Sequence, residues 1–136
     1  MNNSQQRRRI LRKIDLDDLV GSVFEHNEKR ADYLLVLSDG TIVVVEEVRG
    51  RPKPSDVINS IEGTLRKLNR ALNCVEISTT LNKIICVIHF RKPHKMMPEV
   101  VLRYQRYFRA KYGVVLLEPI GCDVVLYQKL GIRTRF

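Results

Sequence analysis

Hydrophobic and polar residues follow two different spacings along the chain. Apolar residues recur every three or four positions over residues 16–24, 57–72 and 98–112, and this spacing predicts three amphipathic helices. Mainly apolar runs over residues 33–37, 42–45, 83–90, 114–117 and 124–127 predict five strands. The order α-β-β-α-β-α-β-β predicts an α+β single domain, with a mixed β-sheet and a central hairpin, flanked by about three helices.

The central hairpin is predicted from the turn between the first two strands. Asp39-Gly40 lies between two β-branched runs, and this dipeptide is typical of a two-residue turn because both central residues need a positive φ. The turn sets the register of the two strands. In that register Asp32 faces Glu47 on the same side of the sheet.

The charge of the chain favours a polyanionic partner. Its 136 residues include 24 Lys and Arg against 15 Asp and Glu, which gives a formal net charge of +9. No apolar run is long enough to span a bilayer, and no secretory signal is visible, so we expect a cytoplasmic protein without a membrane partner. The three cysteines and three histidines show no spacing typical of a zinc site.

The basic residues divide the chain into three segments and mark a surface for nucleic acid. We predict a basic N-terminal arm over residues 1–13, an α+β nucleic-acid-binding domain over 14–129 and a basic C-terminal tail over 130–136. Aromatic side chains beside arginines can stack on single-stranded bases. The predicted nucleic-acid-binding residues are Arg7, Arg8, Arg9, Arg12, Lys13, Arg49, Arg51, Lys53, Phe90, Arg91, Lys92, Lys95, Arg103, Arg106 and Tyr107.

Two carboxylates and a cation gather at the end of the predicted hairpin. Asp32 faces Glu47 in the predicted register, and Arg49 follows two residues later. This constellation resembles the PD-(D/E)xK nuclease signature. The resemblance implies that Asp32 and Glu47 hold Mg²⁺, that Arg49 stands in the place of the lysine, and that Glu25 matches an acid carried by the first helix.

The constellation departs from that signature at two positions. Arginine replaces a lysine at position 49 and is effectively never deprotonated, and Ala31 stands where a proline precedes the Asp. The alternative interpretation is a solvated sheet end, at which Arg30 and Arg49 neutralise the two carboxylates.

A second resemblance covers residues 41–72. The segment 41–47, a basic proline-containing turn, Asp56-Val57 and then 61–65 are similar to the archaeal ThermoDBP-related proteins, which bind single-stranded DNA and oligomerise. That resemblance implies a cleft with an apolar floor and a basic rim, a homo-oligomer and no catalysis.

These observations support one prediction and two alternatives. We predict a non-enzymatic protein, without a cofactor, that binds nucleic acid, single-stranded DNA in particular. The first alternative is a Mg²⁺-dependent endonuclease of the PD-(D/E)xK type, or a Holliday-junction-resolvase-like protein, in which Glu25, Asp32, Glu47 and Arg49 are catalytic. The second is a basic scaffold of a ribonucleoprotein.

Overall fold

The computed structural model describes residues 8–50, 52–78, 83–90, 97–116 and 123–132. Its strands are β1 (Ile10–Asp15), β2 (Tyr33–Leu37), β3 (Ile42–Val48), β4 (Ile84–Phe90) and β5 (Val115–Leu116). Its helices are α1 (Pro54–Arg66), α2 (Leu68–Cys74), α3 (Met97–Tyr112) and α4 (Asp123–Lys129), and a 3-10 turn over Leu16–Leu19 follows β1. The predicted α+β class and mixed sheet are confirmed.

The described strands form a single sheet in the order β1-β2-β3-β4-β5. Strand β2 pairs antiparallel with both β1 and β3, whereas β4 pairs parallel with both β3 and β5. Parallel neighbours need a crossover connection. The chain between β3 and β4 contains α1 and α2, and the chain between β4 and β5 contains α3. Within the described residues, no helix is both long and apolar enough to cross a membrane.

Helices cover both faces of the sheet. Alternate residues such as Leu34 and Val44 pack in a core with α1, α2 and α3, while Leu35 and Val43 pack in a second core with α4. Strands that are buried on both faces have no polar alternation. This explains the continuous apolar runs that predicted β2, β3 and β4.

Two predicted elements are different in the structure. The helix predicted over residues 16–24 is only the 3-10 turn, because the chain reverses at Gly21, whose φ is 93°. Residues 124–127, predicted as a strand, belong to α4, which places Leu126 one turn before Leu130 in the second core. A four-residue apolar run does not distinguish a strand from a buried helix.

The predicted arm, second helix and tail also have different boundaries. Residues 10–13 of the arm form part of β1, an edge strand on which only Ile14 is fully buried. The single helix predicted over 57–72 is divided between α1 and α2 at Lys67, whose φ of −117° is not helical. In the tail, Leu130 and Ile132 are buried in the second core.

Candidate functional site

The hairpin register brings Asp32 opposite Glu46 and not opposite Glu47. Tyr33 pairs with Val45, so the preceding residue, Asp32, faces Glu46. The turn has three residues, 38–40, and Gly40 takes a φ of 89°. An αL residue after a type I turn is common in such loops, and the extra residue shifts the register by one. The predicted Asp32–Glu47 pairing is therefore wrong.

The shift places the two consecutive glutamates on opposite faces of the sheet. Val44 and Val48 pack in the core beneath α1, whereas Val45 packs in the core beneath α4. Because strand side chains alternate, Glu46 lies on the α1 face and Glu47 on the α4 face. Asp32 still contacts both positions, because its carboxylate accepts the backbone N–H of Glu47 at 2.7 Å.

Asp32 and Glu46 form a hydrogen-bonded carboxyl pair. Burial raises the pKa of Glu46 to about 9, and the hydrogen bond and negative charge of Asp32 raise it further, against smaller opposing effects of Ser60 and Lys29. A carboxyl with such a pKa is protonated at neutral pH. The pair therefore shares one proton, which relieves the repulsion between two facing carboxylates.

The pair lies in a cleft of about 540 Å³ at the end of the hairpin. Of the thirteen residues that line it, six are acidic and two are basic, although the chain as a whole carries a net charge of +9. The acidic residues are Asp15, Asp17, Asp32, Glu46, Glu47 and Asp56, and the basic ones are Lys13 and Arg49. This acidic lining differs from the apolar floor and basic rim that the ThermoDBP resemblance implies.

The predicted nuclease residues are only partly brought together. Asp32, Glu47 and Arg49 line the cleft, but Glu25 is not among its lining residues, and the Glu25 N–H donates to the Glu28 carboxylate instead. Among the residues that the structure describes, no group of three or more His, Cys, Asp or Glu side chains could hold a metal ion. A cation between Asp32 and Glu46 would need water or phosphate to complete its coordination.

Helix α1 and the residue that follows it fix the segment leading into Asp32. The Thr64 hydroxyl accepts the Ala31 N–H at 2.6 Å, and Lys67 donates to the Val23 carbonyl and to the Glu28 carboxylate. A Cβ at Gly63 would lie 2.1 Å from the backbone oxygen of Lys29, so the segment approaches the helix backbone closely. The position of Asp32 therefore depends on α1.

We expect the stability of the protein to fall as the pH rises from about 5 to about 9. The folded state retains a proton on Glu46 that the unfolded chain releases above the ordinary pKa of a glutamate. Stability falls with pH where the unfolded state binds fewer protons. Glu46→Gln should make the midpoint of urea unfolding less dependent on pH, and Glu47→Gln should leave the dependence in place. An equal pH dependence in Glu46→Gln and the unmodified protein would contradict the shared proton.

Several predicted nucleic-acid contacts have structural roles near β1. Arg8 pairs with Asp39 at 3.3 Å, and Arg12 donates to the Val75 carbonyl at 2.6 Å. The Lys13 ammonium lies 4.2 Å from the centre of the Tyr33 ring. These contacts link β1 and the residues before it to neighbouring parts of the fold. The exposed residues among these predicted contacts are Arg9, Arg12, Lys13, Arg49 and Lys53. Arg7, Arg51, Arg91, Lys92 and Lys95 lie outside the described residues.

The outer face of α3 is the most uniformly basic surface among the described helices. Arg103, Arg106 and Arg109 are exposed at a spacing of three residues, and α3 contains no acidic residue after Glu99. No ion pair joins any of these arginines to another described residue. Leu102, with 61% of its surface exposed, lies on the same side of the helix.

The two predicted stacking rings differ in exposure. Phe90 is 4% exposed and belongs to the core beneath α1, so its burial excludes the predicted role as a stacking ring. Tyr107 is 37% exposed and borders the arginines of α3. Its hydroxyl donates to the Glu62 carboxylate on α1.

Glu62 is the centre of a polar network between α1 and α3. Its carboxylate accepts hydrogen bonds from Tyr107, from Tyr112 at 2.8 Å and from Lys111 at 3.4 Å, and Arg66 lies 3.6 Å away. Burial alone would raise the pKa of Glu62, but the hydrogen bonds outweigh it and hold the pKa below its ordinary value. Glu62 is not among the predicted site residues, although an acidic residue directly after the buried Ile61 of α1 indicates a partner for its charge.

No family model, no curated protein and no solved structure matches the chain.

Proposed function

We propose that this protein binds nucleic acid without cleaving it, and that the outer face of α3 contacts the phosphates. The observation that carries the proposal is the exposed row of Arg103, Arg106 and Arg109 on a helix with no acid beyond its first turn. Arginine binds phosphate through a planar fork of donors and keeps its charge at every physiological pH. A fourth positive group, Lys111, lies between this row and α1, where it pairs with Glu62.

Single-stranded DNA is the proposed ligand because an aromatic ring lies beside the cations. Tyr107 is 37% exposed and is adjacent in sequence to Arg106, and a base stacked on an aromatic side chain contributes about 1–3 kcal/mol. Bases of a duplex are stacked on one another and do not offer a free face. The resemblance to the ThermoDBP-related proteins implies the same ligand, and the homo-oligomer and the cytoplasmic location stay predictions.

The test is a titration of fluorescent oligonucleotides with the purified protein at 0.1 M salt. We expect the single strand to bind more tightly than a duplex of equal length, and Tyr107→Ala to weaken single-strand binding at least fivefold, as the loss of about 1 kcal/mol of stacking requires. Absence of binding to either ligand would refute the proposal. Tighter binding of the duplex would refute the single-strand specificity.

A Mg²⁺-dependent nuclease is the second candidate, and the Asp32–Glu46 pair favours it. Mg²⁺ is commonly bound through one or two carboxylates together with water and substrate phosphates. The two carboxyls lie next to each other in an acidic cleft, and a bound cation would replace their shared proton. In this candidate, Asp32 and Glu46 are the metal ligands, and Glu46 takes the place that the predicted register gave to Glu47.

The candidate ranks second because, in the observed register, Arg49 no longer lies two residues after the glutamate that faces Asp32. The position two residues after Glu46 is Val48, a buried aliphatic residue that cannot orient an attacking water. We therefore expect no cleavage of single-stranded, duplex or four-way-junction DNA in the presence of Mg²⁺ or Mn²⁺, as measured on denaturing gels. Cleavage that disappears in both Asp32→Asn and Glu46→Gln would show that the protein is an enzyme.

A further inference from the structure

The Glu62 network holds Tyr107 from several directions. Glu62 is 8% exposed, and its carboxylate accepts the hydroxyl groups of both Tyr107 and Tyr112. The Tyr107 ring packs edge-on against Tyr104 and Phe108, with ring centres 5.9 and 5.4 Å apart. A ring that is held at its hydroxyl and along its edges loses little rotational freedom when a base stacks on it.

Glu62 is an unexpected residue at this place if charge alone is considered. It is an acidic residue next to a helix whose exposed face is basic, and a negative charge there opposes the approach of phosphate. A carboxylate accepts hydrogen bonds from several donors at once, which a neutral amide cannot do equally well. Glu62 therefore weakens the electrostatic attraction of α3 for phosphate but fixes the orientation of the Tyr107 ring.

We infer that Glu62 is a positioning residue that holds the Tyr107 ring in the orientation in which it stacks on a base. The inference rests on the proposed binding of single-stranded DNA by α3. It assigns Glu62 a role that acts through Tyr107 and not through contact with the ligand. Charge and positioning therefore predict opposite effects of neutralising Glu62.

The experiment measures the affinity of Glu62→Gln for a fluorescent single strand at 0.1 M salt. If Glu62 acted only through its charge, its loss would strengthen binding by up to about fivefold, the effect of one phosphate contact at that salt concentration. If it positions Tyr107, binding should weaken about three- to tenfold, a part of the loss expected when a stacking ring is removed. The control Glu99→Gln removes an exposed acid from α3, the helix that carries Tyr107, and should not weaken binding.

A second measurement separates positioning from a general loss of structure. In a Tyr107→Ala background no ring remains to be positioned, so Glu62→Gln should then leave the affinity unchanged or raise it. Tyr107→Phe keeps the ring but removes its hydroxyl, and we expect it to weaken binding about as much as Glu62→Gln. This variant tests the inference even if Glu62→Gln does not fold.

The outcomes distinguish the inference from the proposal on which it rests. If the unmodified protein does not bind the single strand, the proposed function is wrong and the inference is wrong with it. If the unmodified protein binds but Glu62→Gln or Tyr107→Phe binds as tightly or more tightly, only the positioning role is wrong. Equal weakening by Glu62→Gln with and without the Tyr107 ring would also refute it.

Discussion

Replacing Gly63 by alanine should lower the free energy of unfolding by about 2 kcal/mol, because overpacking of a close contact costs about 1–3 kcal/mol. The effect has the opposite sign to that expected in an exposed helix, where alanine is about 1 kcal/mol more favourable than glycine. The added Cβ would lie 2.1 Å from the backbone oxygen of Lys29, and backbone cannot rotate away as a flexible side chain can. Urea denaturation measures the change.

The control for this prediction is Asn59→Ala, which places alanine at an exposed position of the same helix. It should be neutral or slightly stabilising, since alanine has the higher helix propensity. The Gly63 variant should also alter the segment that leads into Asp32, because Thr64 holds the Ala31 N–H one residue further along. A Gly63→Ala protein as stable as the Asn59 control would show that α1 and this segment are not in close contact.

Replacing all three α3 arginines, Arg103, Arg106 and Arg109, by alanine should weaken single-strand binding about 100-fold at 0.1 M salt. A phosphate contact on a single strand contributes about 0.7 to the slope of log K against log salt, which amounts to about fivefold in affinity between 1 M and 0.1 M. Three such contacts multiply to about 100-fold. The loss should be the same for different base sequences, because phosphate contacts do not read bases.

A matched variant separates the position of these charges from their number. Arg70, Lys83 and Lys129 are exposed basic residues on α2, before β4 and on α4, and replacing them by alanine removes the same total charge. We expect that variant to weaken binding by less than fivefold. A similar loss in both triple variants would mean that net charge, and not the face of α3, drives binding.

The core was easier to predict from the sequence than the elements that contain it. Leu16, Leu19 and Phe24 are buried as their spacing indicates, yet they lie in a 3-10 turn and a loop instead of a helix. Apolar spacing predicts which side chains are buried, whereas the backbone conformation of residues 16–24 depends on the chain reversal at Gly21. The sequence of β1 does not show the apolar pattern of a strand, because an edge strand buries few of its side chains and β1 is mostly charged.

The candidate site depended on details that short-range patterns do not contain. The pairing of Asp32 with Glu46 follows from a three-residue turn, and the Asp39-Gly40 dipeptide is compatible with both turn lengths. Glu62 and Tyr107 are 45 residues apart, and only the packing of α1 against α3 brings them together. By contrast, the apolar spacing over residues 98–112 predicts α3 directly, because that helix is long and periodic.

The salt dependence of binding tests the central claim most directly, because it counts phosphate contacts. Titrations of a fluorescent single strand between 0.05 and 0.5 M salt (about the range in which counterion release dominates) should give a slope of log K against log salt of roughly −2 to −3.5 for the unmodified protein. The variant without Arg103, Arg106 and Arg109 should have a slope about 2 smaller in magnitude. An unchanged slope in that variant would contradict the claim that the outer face of α3 binds nucleic acid.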